Sequence, residues 1–145
     1  MLLGDRVIAA ARAMTAGTDH VVIRHAQQVV ETARREDLAW PDELAAYATS
    51  DRQRIKLPLR FVAINDTVIW SAPVEMFCEI AMNIRQRSPF AQTFYFGYTN
   101  GWFGYLPTAK GFEEGGYEPK TSPFTAQAES DLTTSVTAFL RKFRR

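Results

Sequence analysis

Three side chains in this sequence carry groups suited to chemistry at positions that would hold them: Glu75, Tyr105 and Tyr117. Glu75 follows the run Val68–Ser71 and Pro73 and opens the stretch VEMFCEIAMNIRQR. Junctions between strand and helix are where α/β folds collect ligands and catalytic groups. An acid in a first helical turn can equally do no more than complement the helix dipole. Tyr105 lies in YTNGWFGYLPT, Tyr98 to Thr108, which holds four aromatics, two glycines and a proline. Asn100-Gly101 and Gly104 allow a sharp reversal with close backbone approach. Pro107 fixes the exit and Thr108 can cap a short following helix, so Tyr105 is expected in a defined position. The plain alternative is a core tyrosine with its hydroxyl hydrogen-bonded. EEGGYEP repeats the pattern, two glycines placing Tyr117.

Other reactive residue types point to no local site. His20 and His25 are five apart, on opposite faces of a strand or about 140° apart on a helix of ~3.6 residues per turn. Neither geometry makes a metal pair, and both are expected to be structural or surface residues. Cys78 is the one cysteine, which excludes an internal disulfide and a Cys-based zinc site. It is expected to pack as a small hydrophobe. No HExxH, GxSxG, Walker A or CxxC motif is present.

The elements that must position these residues follow from periodicity. At 145 residues, 46% hydrophobic and 23% charged, the chain reads as one globular domain or part of one. A net charge of +1 gives no field to recruit nucleic acid, and RKFRR at 141–145 reads as a solvated helix end. No apolar run approaches the ~20 residues of a membrane span. MLLGDRVIAAARAM lacks the order of a signal peptide. It reads as an amphipathic helix with Leu3, Val7, Ala11 and Met14 on one face, stopping near Gly17. His20–Val30 is β-branched and predicts a strand; Pro41 and the acids after it mark a helix start. Leu57, Leu59 and Phe61 alternate, Asn65-Asp66 suits a tight turn and Val68–Ser71 returns, so a hairpin is predicted. Phe77, Ile80, Ala81 and Ile84 share one face of a helix expected over 75–87, ended by Ser88-Pro89. QTFYFGY predicts a further strand, and TAKGFEEGGYEPKTSP an irregular, turn-rich stretch. Leu132, Val136, Phe139, Leu140 and Phe143 form the stripe of a last helix, with acids at its start and bases at its end. The fold class is therefore α+β: a mixed sheet with a β-hairpin and packed helices.

SAPVEMFCEIAMNIRQRSP, YTNGWFGYLPT and GGYEP, in this order and at these separations, resemble the later part of the catalytic domain of the neutral/alkaline non-lysosomal ceramidase family. The likeness is strongest over 68–118 and extends over a family-like core of 57–145. The resemblance implies a zinc amidohydrolase that cleaves ceramide into sphingosine and a fatty acid. It places Glu75 on the acidic zinc ligand, Tyr105 on the tyrosine zinc ligand and Tyr117 on a second active-site tyrosine that holds the polarised substrate carbonyl. Val74 stands where the family's PGE-type motif has glycine.

The same resemblance puts the family's two histidine ligands in an earlier part of the domain, and His20 and His25 do not sit in matching motifs. The expectation is that 1–145 is a single domain or the C-terminal fragment of a larger zinc amidohydrolase domain. Zinc and a lipid amide substrate would belong to the full-length enzyme, and the isolated chain would be inactive. A homodimer, or contact with the missing upstream part, would cover apolar surface left open. A non-enzymatic binding or assembly module on the same scaffold is the alternative reading. Substrate-binding residues and compartment are not specified by the sequence.

Overall fold

The computed structural model describes residues 2–15 and 17–145. Alternation in the sequence builds its centre. β1 (Ile23–Ala33) and β2 (Arg54–Ile64) run antiparallel over eleven residues each, and β2 turns at Asn65 into β3 (Thr67–Ser71). Asn65 takes the left-handed conformation the turn requires (φ 50°). Its side-chain oxygen accepts from the Val22 amide at 2.8 Å, tying the turn to the start of β1.

The chain then crosses over. A two-residue strand, β4 (Glu75–Met76), leads into α2 (Cys78–Arg87), and β5 (Gln92–Phe96) returns parallel to β3, giving the order β1-β2-β3-β5. Three antiparallel strands and one parallel edge strand make a mixed sheet in an α+β fold. β6 (Tyr105–Leu106), α3 (Ala109–Glu114), α4 (Tyr117–Thr121) and α5 (Gln127–Phe143) complete the described chain.

One sheet face forms the core. Ile55, Leu57, Leu59, Phe61 and Ala63 on β2, with Val68 and Trp70 on β3, are buried against Ile80 and Ile84 of α2 and Leu132, Val136 and Leu140 of α5. At roughly 1.5–3 kcal/mol for each fully buried large apolar side chain, this layer is the main source of stability. The other face is open. His25, Val62, Ile69 and Phe94 are register neighbours in one row across all four strands, and Val62, Phe94, Ile64 and Phe96 are exposed.

Several expectations change. Helix α1 (Leu3–Ala13) forms but ends ahead of Met14 and Gly17, and its apolar side packs on nothing among the described residues. Asp42–Tyr47 is a 3-10 turn. The stretch after Thr108 is two short helices separated by Gly115 and Gly116, both at positive φ. The Thr108 hydroxyl does cap the first of them, accepting from the Gly111 amide at 2.9 Å. Glu75 is not in a first helical turn. Its amide donates to Gly104 O (3.1 Å) and that of Phe77 to Leu106 O (3.1 Å), so 75–77 pair with β6 before the helix begins. Cys78 is exposed, not a core thiol. Ile80 and Ile84 set the buried side of α2, and a residue two positions before Ile80 points about 160° away from it.

Candidate active site

The β4–β6 pair brings the two predicted metal-ligating residues side by side. Glu75 and Tyr105 are register partners in a parallel two-stranded ladder, with Met76 opposite Leu106. Neighbouring strands lie ~4.8 Å apart and partners in register project to the same side. Leu106 is buried beneath them, so the alternate positions, Glu75 and Tyr105, face outward and are half-buried. Tyr117 joins them from the first position of α4. Its ring meets that of Tyr105 edge-on, at 5.8 Å between centroids and 77°.

The loop between β5 and β6 is held by its backbone. Tyr98 N donates to Val74 O (3.3 Å), Thr99 N to Ala72 O (3.3 Å) and Phe103 N to Pro73 O (2.7 Å). Tyr98, Asn100, Gly101 and Gly104 all take positive φ (54°, 61°, 147° and 97°). For Tyr98 this conformation is uncommon and costs energy; the bonds to 72–74 hold it there. Val74, in place of glycine, is fully buried. Its carbonyl also accepts from the Tyr95 hydroxyl at 2.9 Å.

This loop places a residue that the sequence reading did not single out. The Tyr98 hydroxyl donates to Glu75 Oε2. The Tyr98 ring stacks on Trp102 at 4.9 Å and 6°, and Trp102 meets Tyr105 edge-on at 5.4 Å. Four aromatic rings, Tyr98, Trp102, Tyr105 and Tyr117, thus run in sequence past one carboxylate. The available signal was the position of Tyr98 ahead of Asn100-Gly101, in a loop that reverses on Glu75.

Charge follows geometry. Donation to Glu75, then desolvation, pushes the Tyr98 phenol up to about 12. Partial burial, then the charge of Glu75, holds Tyr105 above the usual phenol range. Both phenols are therefore neutral donors and acceptors at neutral pH.

The donor set suits a metal in part. A carboxylate is a common zinc ligand, a neutral phenol oxygen is a weak one, and the two residues are register partners on adjacent strands. Among the described residues no group of three His, Cys, Asp or Glu lies together. His25 sits on the exposed side of β1 opposite Val62, and the His20 amide bonds to Thr18 Oγ1 ahead of that strand; neither lies on the elements that carry Glu75 and Tyr105. No described helix is long and apolar enough to cross a membrane.

No family model and no curated protein matches the sequence significantly. Solved structures do match in fold. A neutral ceramidase from Pseudomonas aeruginosa superposes with a TM-score of 0.64 at 13% identity, over 93% of this chain and 30% of that one. A ceramidase solved in complex with C2 superposes with a TM-score of 0.59 at 13% identity, over 92% and 32%. The chain spans just under a third of the length of these two proteins. It has the α+β fold that ceramidase builds with that share of its length.

Proposed function

We propose that this chain supplies one part of the active site of a ceramidase-like zinc amidohydrolase that cleaves the N-acyl amide of ceramide or a related lipid. The observation that carries the reading is the adjacency of Glu75 and Tyr105 across β4–β6, with the Tyr117 ring against Tyr105. The ceramidase fold of the chain supports it independently.

In this reading Glu75 would offer a carboxylate oxygen and Tyr105 a phenol oxygen to a zinc ion. The chemistry zinc would supply there is a bound water of pKa near ~7 and polarisation of an amide carbonyl. Tyr98 keeps the Glu75 carboxylate in one orientation. Tyr117, the most exposed of the three phenols, donates its O–H to the substrate carbonyl oxygen as negative charge develops there. Trp102 packs edge-on against the Tyr105 ring.

A catalytic zinc takes about three protein ligands, and this chain offers two. The remaining ligands come from a second segment, so the 145 residues alone do not hydrolyse amides. The test is a fluorescent N-acyl sphingoid substrate with added zinc. No turnover is expected from this chain alone, and turnover is expected from a longer protein that joins it to histidine ligands. Glu75→Ala or Tyr105→Phe should impair the longer protein. Turnover by the chain alone overturns the divided site; an active longer protein indifferent to both substitutions overturns the ligand roles.

One observation favours a second reading, a binding module without metal chemistry: Tyr98 gives Glu75 a partner of its own. In that case Glu75→Gln, which keeps an acceptor for Tyr98, leaves every binding property intact and no cobalt absorption band develops in the longer protein.

A further inference from the structure

The carbonyl of Val74, in the peptide that precedes Glu75, accepts two hydrogen bonds: from the Tyr95 hydroxyl at 2.9 Å and from the Tyr98 amide at 3.3 Å. We propose that Tyr95 is a positioning residue for the Glu75 carboxylate: through Val74 O, its hydroxyl fixes Glu75 and Tyr98 relative to each other. The consequence for catalysis rests on the hydrolase reading; the positioning does not.

The peptide between Val74 and Glu75 is pinned at both ends. Its oxygen has both lone pairs occupied, and its N–H donates to Gly104 O at 3.1 Å. A peptide unit is planar, so fixing both ends restricts the direction in which Glu75 leaves the backbone. β4 has only two residues, and a ladder so short holds little on its own. The same oxygen anchors the amide of Tyr98, whose hydroxyl donates to Glu75 Oε2. Carboxylate and donor thus share one anchor, the first through the chain and the second through a hydrogen bond.

Tyr95 is well placed to hold that anchor. It is the register partner of Trp70 across β3 and β5. Its half-buried ring packs on the buried Trp70 ring at 4.6 Å between centroids. Burial, then the charge of Glu75, pushes its phenol above the usual range, so it remains a donor at neutral pH. Gly97 leaves the space this needs. A Cβ there would meet Val74 O at 2.9 Å and Tyr95 Oη at 3.4 Å. The carbonyl is therefore enclosed by a hydroxyl, an amide and a bare glycine backbone, with little room to turn.

The first test uses this chain and no metal. The Glu75 side-chain carboxyl ¹³C resonance is followed by NMR at neutral pH. Tyr98→Phe should move it, because the donor is gone. Tyr95→Phe, which removes the hydroxyl and keeps the ring on Trp70, should move it in the same direction. Gly97→Ala, which keeps that hydroxyl but crowds Val74 O, should move it too. The Glu129 carboxyl, bonded to the Ala109 amide, is the internal reference and should stay. A loss of stability alone does not move a resonance of the folded state. A Glu75 resonance unmoved by Tyr95→Phe, or one that moves no more than that of Glu129, overturns the proposal. In the longer protein, Tyr95→Phe should cost about five-fold in cobalt affinity, the worth of one hydrogen bond. It should cost less in a Tyr98→Phe background, since both act on one carboxylate; strictly additive losses overturn the proposal. A moved Glu75 resonance, with neither cobalt binding nor hydrolysis by the longer protein, keeps the role of Tyr95 and removes the hydrolase reading. Hydrolysis with an unmoved resonance does the reverse.

Discussion

The Tyr98 hydroxyl donates to the Glu75 carboxylate across a loop that returns 23 residues later in the chain. The bond sits at a left-handed tyrosine whose own amide is tied to Val74 O. A strained backbone that aims one side chain at another is the arrangement expected where orientation of a carboxylate matters.

Tyr98→Phe removes that donor and keeps the ring on Trp102. Partners that orient a metal ligand are worth about 10–100-fold in affinity or activity. The expected outcome is a loss of at least about ten-fold in cobalt affinity of the longer, histidine-bearing protein, read from its visible absorption. Unchanged affinity would make Tyr98 a packing residue only.

Tyr117→Phe should act on rate and spare binding. A donor to a developing oxyanion is worth about 10²–10³ in kcat, so the longer protein should lose rate by that order with KM little changed. A rise in KM at constant kcat would move Tyr117 from the reacting carbonyl to the substrate's periphery.

Arg35 predicts a pH effect. Its guanidinium joins Asp37 to the carbonyls of Pro119, Lys120 and Ser122. The hydrogen bond from Arg35 holds the Asp37 carboxyl below its usual value. A depressed folded pKa contributes stability that is present above the unfolded value near ~3.9 and is lost as pH falls through the folded one. Asp51, depressed chiefly by the Thr49 hydroxyl, adds in the same direction. Acid unfolding followed by circular dichroism should therefore steepen below about pH 4, and Asp37→Asn should flatten part of that slope. An identical acid limb in the variant would remove Asp37 from the account.

Gly104→Ala tests the turn that leads into β6. Gly104 has φ +97°, and a Cβ there would meet Pro123 Cδ at 3.0 Å. Strain of this kind costs about 1–3 kcal/mol, measurable by urea unfolding. Gly115→Ala, also at positive φ but facing open space, should cost less.

Elements whose pattern is local were legible in the sequence. The alternation Leu57, Leu59, Phe61, the Asn65 turn, the Ile80–Ile84 face and the α5 stripe lie where their spacing put them. Glu75 was misassigned to a helix because a two-residue strand has no period of its own; its partner Tyr105 is thirty positions away. Cys78 was misassigned because a small apolar residue next to an apolar face looks buried until the phase of the helix is known. Of the candidate site, the sequence offered Glu75, Tyr105 and Tyr117 but not Tyr98, whose role depends on a backbone conformation that an aromatic residue rarely takes. The docking of the segment around Trp40 and Tyr47 was also missed, since both rings pack on Phe103, more than fifty positions away.

The four positive φ angles at 98, 100, 101 and 104 amount to a handedness code that a distant relative could keep while losing most identities. An Asn-Gly pair and a second glycine three positions on are its readable letters, and the carboxylate it serves lies 29 positions before that second glycine. A search for sequences that share this rhythm, and not these side chains, would group proteins by the backbone path around the carboxylate. The tyrosine at 98 would then vary among them with whatever that carboxylate has to face.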